Sequence, residues 1–553
     1  MVIALFALLV LFTLGLSFLT LSGSSLTTSK REVMRARALE VAEAGAQKAI
    51  AYLRHTAPDG TIDGSWRTVH LASDPDDHSQ DSWRVETLNS SETYKLCVRS
   101  GVGINTGKII ITSVGTVTYG SSTCSRTVKV IVLREEENIN VWNNVIFGGV
   151  GQAGKSINGN VVMRGSVHLL GDGEDFTDVD TDGRWDSGES YTDQNGNGQY
   201  DSGEPYTDID GDGHRDGLEP WDDVNGNGIR DPALTVTDMA SEVAGDANAG
   251  NNYTGMTAFL EGRLPPLPTT WFNSEQVRTL SAKIRVKHGK VNISGSAKVG
   301  SPDVPGGTPA IKETMNGCYV SDGWGGNAGA ASVYSDNGSS AGYDLGEGVI
   351  SFPALTDPYT DGGGVSYPTY MDYLQANATV VAGPLDLAPD TTLDVSGPNG
   401  SLSLDGSGNM TISGIVYVTG DINFNRSGGT RLTYSGSGTL VSTGSAFVHC
   451  DLVPETNFPL GEVLGVICRR RMELATGAGD AQLTMAGAFY AQEKVISQKQ
   501  SEIAGSLVSS YYQMQNVPHL YQVPELVNHL PPGMPGSRSV WVISVTVQSW
   551  KEM

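Results

Sequence analysis

The first 21 residues, MVIALFALLVLFTLGLSFLTL, are almost wholly apolar, and the first charge along the chain is Lys30. As a helix this run spans about 32 Å, the thickness of a bilayer's hydrocarbon core. A secretory signal would open on basic residues and end in a small-residue cleavage site, and neither pattern is seen. The next stretch, SKREVMRARALEVAEAGAQKAIAYLRH, is Ala-rich, lacks Pro and consists mostly of strong helix formers. Met34, Ala38, Val41, Gly45, Ala49 and Tyr52 recur at three-to-four spacing and form one face of small residues. Pro58, with Asp-Gly after it, stops the pattern. The prediction is one continuous helix over 1–54, membrane-compatible in 1–21 and amphipathic beyond.

The period then shortens to two. From GSWRTVHL to RTVKVIVLREE, short alternating runs bounded by Gly, Ser, Asn and Asp predict a β-sheet domain over 55–140. After Val141 the runs are shorter and each is led by Gly. GIVYVTGDINF from Gly414, GTLVSTGSAFV from Gly438, GAFYAQEKVIS from Gly487 and GSLVSSYYQMQ from Gly505 align on one another. Units that cannot bury their own apolar face must stack, so these segments predict a parallel β-solenoid (β-helix). It starts at 141–170 and occupies 233–553 together with the C-terminal strand, WVISVTVQSW; a β-sandwich is the alternative. The fold class is α+β, mostly β.

Residues 171–232 interrupt this texture. They hold 19 Asp and Glu against three Arg, and so supply −16 of the chain's net charge of −25. Asp178, Asp193, Asp208 and Asp223 recur at one fixed step, as do Phe176, Tyr191, Tyr206 and Trp221. Each unit fits the calcium loop D-x-[DN]-x-[DN]-G-x5-E at least through its first half; in such a loop hard carboxylate and carbonyl oxygens ring the ion and Gly makes the turn. The first loop offers Asp178, Asp180, Asp182, the Arg184 carbonyl, Asp186 and Glu189. The second offers Asp193, Asn195, Asn197, the Gln199 carbonyl, Asp201 and Glu204, and the third Asp208, Asp210, Asp212, the His214 carbonyl, Asp216 and Glu219. The fourth is degenerate. It begins with Asp223, Asn225, Asn227, the Ile229 carbonyl and Asp231, but has Leu234 at the twelfth position, so it binds weakly or borrows a carboxylate. Three residues separate one loop from the next, which leaves no room for paired helices. The array resembles thrombospondin type 3 and dockerin-like calcium repeats, and the resemblance implies a segment whose folding is driven by metal.

An acidic chain of this kind excludes nucleic acid as a partner. Cys97 with Cys124 and Cys450 with Cys468 are candidate disulfides, leaving Cys318 over; five buried thiols are the alternative. No CxxC pair is present, which argues against structural zinc. Arg469, Arg470 and Arg471, near Glu473 and Asp480, could serve a β-helical polysaccharide-degrading enzyme, or form a basic turn. No catalytic residue is assigned.

An uncharged N-terminal run passing into an Ala-rich helix with AEAG, followed by a β-rich head, resembles type IV pilin-like proteins, in particular the PilX-type minor pilins. The resemblance implies a leader removed by a prepilin peptidase, with Met1 as the modified mature N-terminus. It implies storage in the inner membrane, then assembly with copies of itself or other pilins into an extracellular filament that contacts a surface or glycan. The fifth residue is Leu5, where most major pilins carry Glu. The expected function is a calcium-stabilised structural subunit serving adhesion. A minor, tip or priming pilin, a secretion-system pseudopilin and a surface-anchored enzyme are the alternatives.

Overall fold

The computed structural model describes the chain apart from residues 1, 54–82, 101–107, 151–156, 159–160, 175, 273–274, 294, 304–309, 339–349, 516–517, 539–540 and most of 178–247. Within that last range it describes 185, 188, 190–194, 200, 202, 204–207, 218–221, 223–224, 228 and 230. The fold is mostly β with one long N-terminal helix. The chain divides into two units, Met1–Ile139 with Val540–Met553, and Asn140–Ser539.

In the first unit α1 (Val2–Leu53) is continuous over 52 residues, long and apolar enough to cross a membrane. Its opening apolar side chains, among them Leu5, Phe6, Leu8, Leu11, Phe12 and Phe18, all stand exposed. From Ala38 onward one face is buried: Ala38, Val41, Ala42, Ala46, Ala49 and Ile50. That face packs on an antiparallel sheet of β1 (Arg84–Asn89), β2 (Glu92–Ser100), β3 (Ile109–Tyr119), β4 (Ser122–Asn138) and the C-terminal strand Trp541–Glu552. Gly115 on β3 permits the approach, because a Cβ there would lie 2.2 Å from the Ala38 carbonyl oxygen and 2.3 Å from the Ala42 nitrogen. Charges flank the contact. Arg37 Nε lies 2.6 Å from Glu92 Oε1 and holds that carboxyl below its usual range. Lys48 pairs with Glu86, which also accepts a 2.5 Å hydrogen bond from the Tyr94 hydroxyl.

Two expectations are corrected in this unit. The terminal strand does not close the glycine-led array; it returns to pair with β4, Trp541 opposite Asn138. Cys97 and Cys124 do not form a disulfide. Cys97 on β2 faces Thr112 and Cys124 on β4 faces Val117, with β3 between them. Two strand spacings are roughly 10 Å before that offset along β3 is added, beyond disulfide reach.

In the second unit short strands pair in parallel with the strand one turn of chain away. One ladder runs through Thr379–Val381, Asn409–Val418, Ser437–Ser442, Val463–Cys468, Thr484–Ser497, Glu502–Gln515, Ile146–Gly148, Val167–Leu169, Lys283–Val286 and Gly317–Val320. The order is not the sequence order. The chain enters mid-ladder at Ile146, winds outward to Val320, resumes at the far end at Thr379 and winds back until Leu507 meets Ile146. Val416, Leu440, Val466, Phe489, Leu507, Ile146, Val167, Ile284 and Cys318 thereby form one buried column. Such a column buries on both sides the apolar residues that no single turn could cover.

The glycine register read from the sequence reappears in these pairings: Gly414 faces Gly438, and Gly487 faces Gly505. Between them lies a turn without the leading glycine, Val463–Cys468. Cys468 ends that strand and donates its thiol to the Tyr490 carbonyl at 3.5 Å, whereas Cys450 follows Ala446–Val448 in a neighbouring ladder. They are not bonded to each other, which corrects the second expected disulfide. Burial pushes the Cys450 thiol up to about 12, and the Cys468 thiol is raised for the same reason.

Candidate metal centre

The acidic insertion leaves the stack after Val167–Leu169 and rejoins it at Asn248–Gly250. Of the expected ligands, Asp178, Asp180, Asp182, Arg184, Asp186, Glu189, Asn195, Asn197, Gln199, Asp201, Asp208, Asp210, Asp212, His214, Asp216, Asn225, Asn227, Ile229 and Asp231 lie outside the described residues, as does Met1. Asp193, Glu204, Glu219 and Asp223 are described. Among the described residues no three potential metal-binding side chains converge.

What is described is the frame of the repeat. Around the second loop, Tyr191 and Tyr206 form an antiparallel bridge that closes its neck. Thr192 N donates to the Pro205 carbonyl at 2.8 Å and Thr207 N to the Ser190 carbonyl at 2.9 Å. Tyr200, the eighth loop residue, packs edge-on against Tyr191 and Tyr206 at 5.6 and 5.9 Å. Glu204 Oε1 accepts from Gln194 N at 2.8 Å, so the closing carboxylate folds back to the head of its loop. Glu204 is 7% exposed and Glu219 3%. Carboxylates buried to that degree require compensating hydrogen bonds or positive charge.

A second frame lies between Phe176 and Trp221, again an antiparallel bridge, with Thr177 N donating to the Pro220 carbonyl at 2.8 Å. Trp185 packs edge-on against Trp221 at 5.6 Å, and Arg230 lies over the Phe176 ring at 4.4 Å. Val224 N donates to Glu174 Oε1 at 2.8 Å. Gly228, the sixth residue of the fourth loop, has φ +75° and donates to Asp223 Oδ2 at 2.9 Å, which aims the first carboxylate into the turn. The first and third loops approach one another at their eleventh positions, where a Cβ on Gly188 would lie 2.7 Å from Leu218 N. The donor set of this repeat is oxygen throughout and mostly anionic, which fits a hard cation of calcium's size.

Sequence reasoning passed over Glu174, Trp185, Tyr200 and Arg230. Each was visible as a member of the repeat step, since Glu174 precedes Phe176 as Glu204 precedes Tyr206. The arginine cluster lies beside Glu473 as expected, but Asp480 has another partner. Arg471 pairs with Glu473 at 2.8 Å, while Asp480 is taken by His449 Nδ1 at 2.7 Å. Arg470 and Arg471 line a cavity of about 350 Å³ with Glu493, Lys494, Asp421 and, from the fourth loop, Asp223.

No protein-family model matches the chain, and no curated protein matches it. Among solved structures it is similar to the competence-associated pilin ComZ from Thermus thermophilus, at 17% identity and a TM-score of 0.43, over 94% of this chain and 97% of that one. A TM-score this low does not equate the two folds, so what ComZ does stays with ComZ.

Proposed function

We propose that this chain is a structural subunit of an extracellular type IV pilus-like filament, held in the inner membrane by α1 before assembly. The observation that supports this reading is the division of α1. Between Ala38 and Leu53 one face is sealed onto the sheet, while the large apolar residues before it, from Ile3 to Leu26, stand exposed among the described residues. A run of exposed Leu and Phe on a rigid helix needs either lipid or other such helices. Head-to-tail packing of the helices would give an open fibre. The head it displays is a parallel β-solenoid, and the acidic insertion is a calcium array that stiffens outside the cell, where calcium is abundant at the roughly millimolar level such modules require. The basic side chains Arg470, Arg471 and Lys494 face Asp223 and serve to dock the acidic array, with no catalytic part. Adhesion to a surface or glycan is the role such a head serves.

Leu8→Asp tests the anchor directly. The variant head is expected to keep its thermal unfolding midpoint, because Leu8 stands exposed among the described residues, yet to be absent from filaments sheared off cells. Incorporation of Leu8→Asp at the wild-type level would contradict the reading.

A further inference from the structure

We propose that Lys312 and Asn316 become joined by a side-chain amide formed within the folded chain, with Asp336 carrying the protons. Lys312 follows the short strand Ala310–Ile311, and Asn316 leads into Gly317–Val320, the last strand of the ladder described above. Lysine is rarely buried, yet Lys312 is only 2% exposed. Backbone bonds hold both partners in place. Lys312 N donates to the Arg278 carbonyl at 3.0 Å, and Asn316 N to the Ala282 carbonyl at 2.9 Å.

The reacting groups meet at the Lys312 amine. Nζ lies 2.7 Å from Asn316 Oδ1, 2.9 Å from Asp336 Oδ2 and 3.1 Å from the Thr314 carbonyl, with the Phe272 ring centroid at 4.7 Å. The Asn316 amide carbon is one bond of about 1.2 Å beyond Oδ1, so it stands within about 4 Å of the amine. An ion pair needs the carboxylate alone; here an amide is set beside the amine as well, and its oxygen has a second donor. That donor is Asn251 Nδ2 at 3.4 Å, on a fully buried side chain whose own Oδ1 accepts from Ala282 N at 2.8 Å. Asp336 is fixed from its other side, with Oδ1 accepting from Thr314 Oγ1 at 3.1 Å and its N donating to the Met315 carbonyl at 3.0 Å. An amine attacks only when neutral, so Asp336 first takes a proton from Nζ. The Nζ lone pair then forms the bond to Cγ, and the carbonyl electron pair moves onto Oδ1, toward Asn251 Nδ2. Asp336 hands its proton to Asn316 Nδ2, the Cγ–Nδ2 bond breaks, and ammonia leaves as the carbonyl re-forms. The carboxylate takes the second proton from Nζ and passes it to the departing ammonia. One ammonium and one amide have become one amide and one free ammonium ion, and no other reactant is consumed. Partners held in place by the fold react as one molecule, which removes the entropic part of the barrier. The product is a covalent staple across the turn that feeds the last strand of the ladder.

The test is peptide mass spectrometry of the full-length chain. The linked chain should weigh one ammonia less, about 17 Da. Asn316 precedes Gly317, and a backbone succinimide at that pair would lose the same mass. Cleavage after Glu313, which lies between the two partners, separates the cases. With the staple in place, the peptide ending at Glu313 stays joined to the one beginning at Thr314; a succinimide leaves them apart. Lys312→Arg should restore the missing ammonia and release the two peptides. Asp336→Asn keeps the size and a polar contact but cannot carry the proton, and should leave the link unformed in a chain of native circular dichroism. Wild-type peptides that separate after Glu313 overturn the proposal, and so does a loss of ammonia that survives Lys312→Arg. A link formed as completely in Asp336→Asn as in the wild type overturns the part given to Asp336. The wild-type digest decides by itself if a variant fails to fold.

Discussion

His168 shows how burial in the stack acts on a single side chain. It sits between Phe147 and Arg285 in the ladder, fully buried, its ring 5.0 Å from that of Phe147. Neither ring nitrogen has a hydrogen-bond partner among the described residues. Desolvation, helped by the nearby Arg285 and Lys287, pushes its pKa down to about 3. An unfolded histidine takes up its proton below about 6.5. The neutral ring's contribution is therefore complete above that pH and drains away as pH falls toward 3, by up to about 1.4 kcal/mol per unit. His168→Leu should flatten this part of the acid stability profile, measured by denaturant unfolding from pH 7 to 4. A slope unchanged by the substitution would show that His168 is protonated in the fold. The thiols follow the same logic: Cys318 fills the end of the apolar column, where burial raises its pKa to about 12 and leaves it a small apolar residue.

Among the elements, the contact of α1 with the sheet depends on small residues meeting a glycine. Gly115→Val would drive two methyl groups into the backbone of Ala38 and Ala42, and overpacking of this kind costs about 1–3 kcal/mol. The small sheet should unfold several degrees earlier by calorimetry, with the transition of the stacked unit unmoved; a single joint shift of both would mean that the two units unfold together. Much at this scale was legible in the sequence. The small-residue spacing gave the buried face of α1, and the leading glycines gave the register of Gly414 with Gly438 and of Gly487 with Gly505. What escaped were pairings set by distance along the chain. Val463–Cys468 lacks a leading glycine and runs into three arginines, so it shows no register with the other segments. The three-residue strands at Ile146 and Val167 are too short to show a period. Nothing local in WVISVTVQSW points to β4, some four hundred residues back, and the cysteine pairs looked close only because the intervening strand could not be seen.

For the whole molecule, assembly turns on α1. The stack and the small sheet bury their own cores, whereas the Leu and Phe side chains from Leu5 to Leu21 stand exposed. Charge points the same way, since −16 of the net −25 lies in one insertion, which suits a cation-binding array and would be costly inside a fibre. The most direct measurement is cryo-electron microscopy of filaments sheared from cells, imaged in calcium and again after chelation. Fibres built from this chain along their length are expected, with residues 2–33 packed against neighbouring helices at the centre and density for 176–232 that weakens only when calcium is removed. Filaments without this chain, or with α1 on the outside, would contradict that expectation.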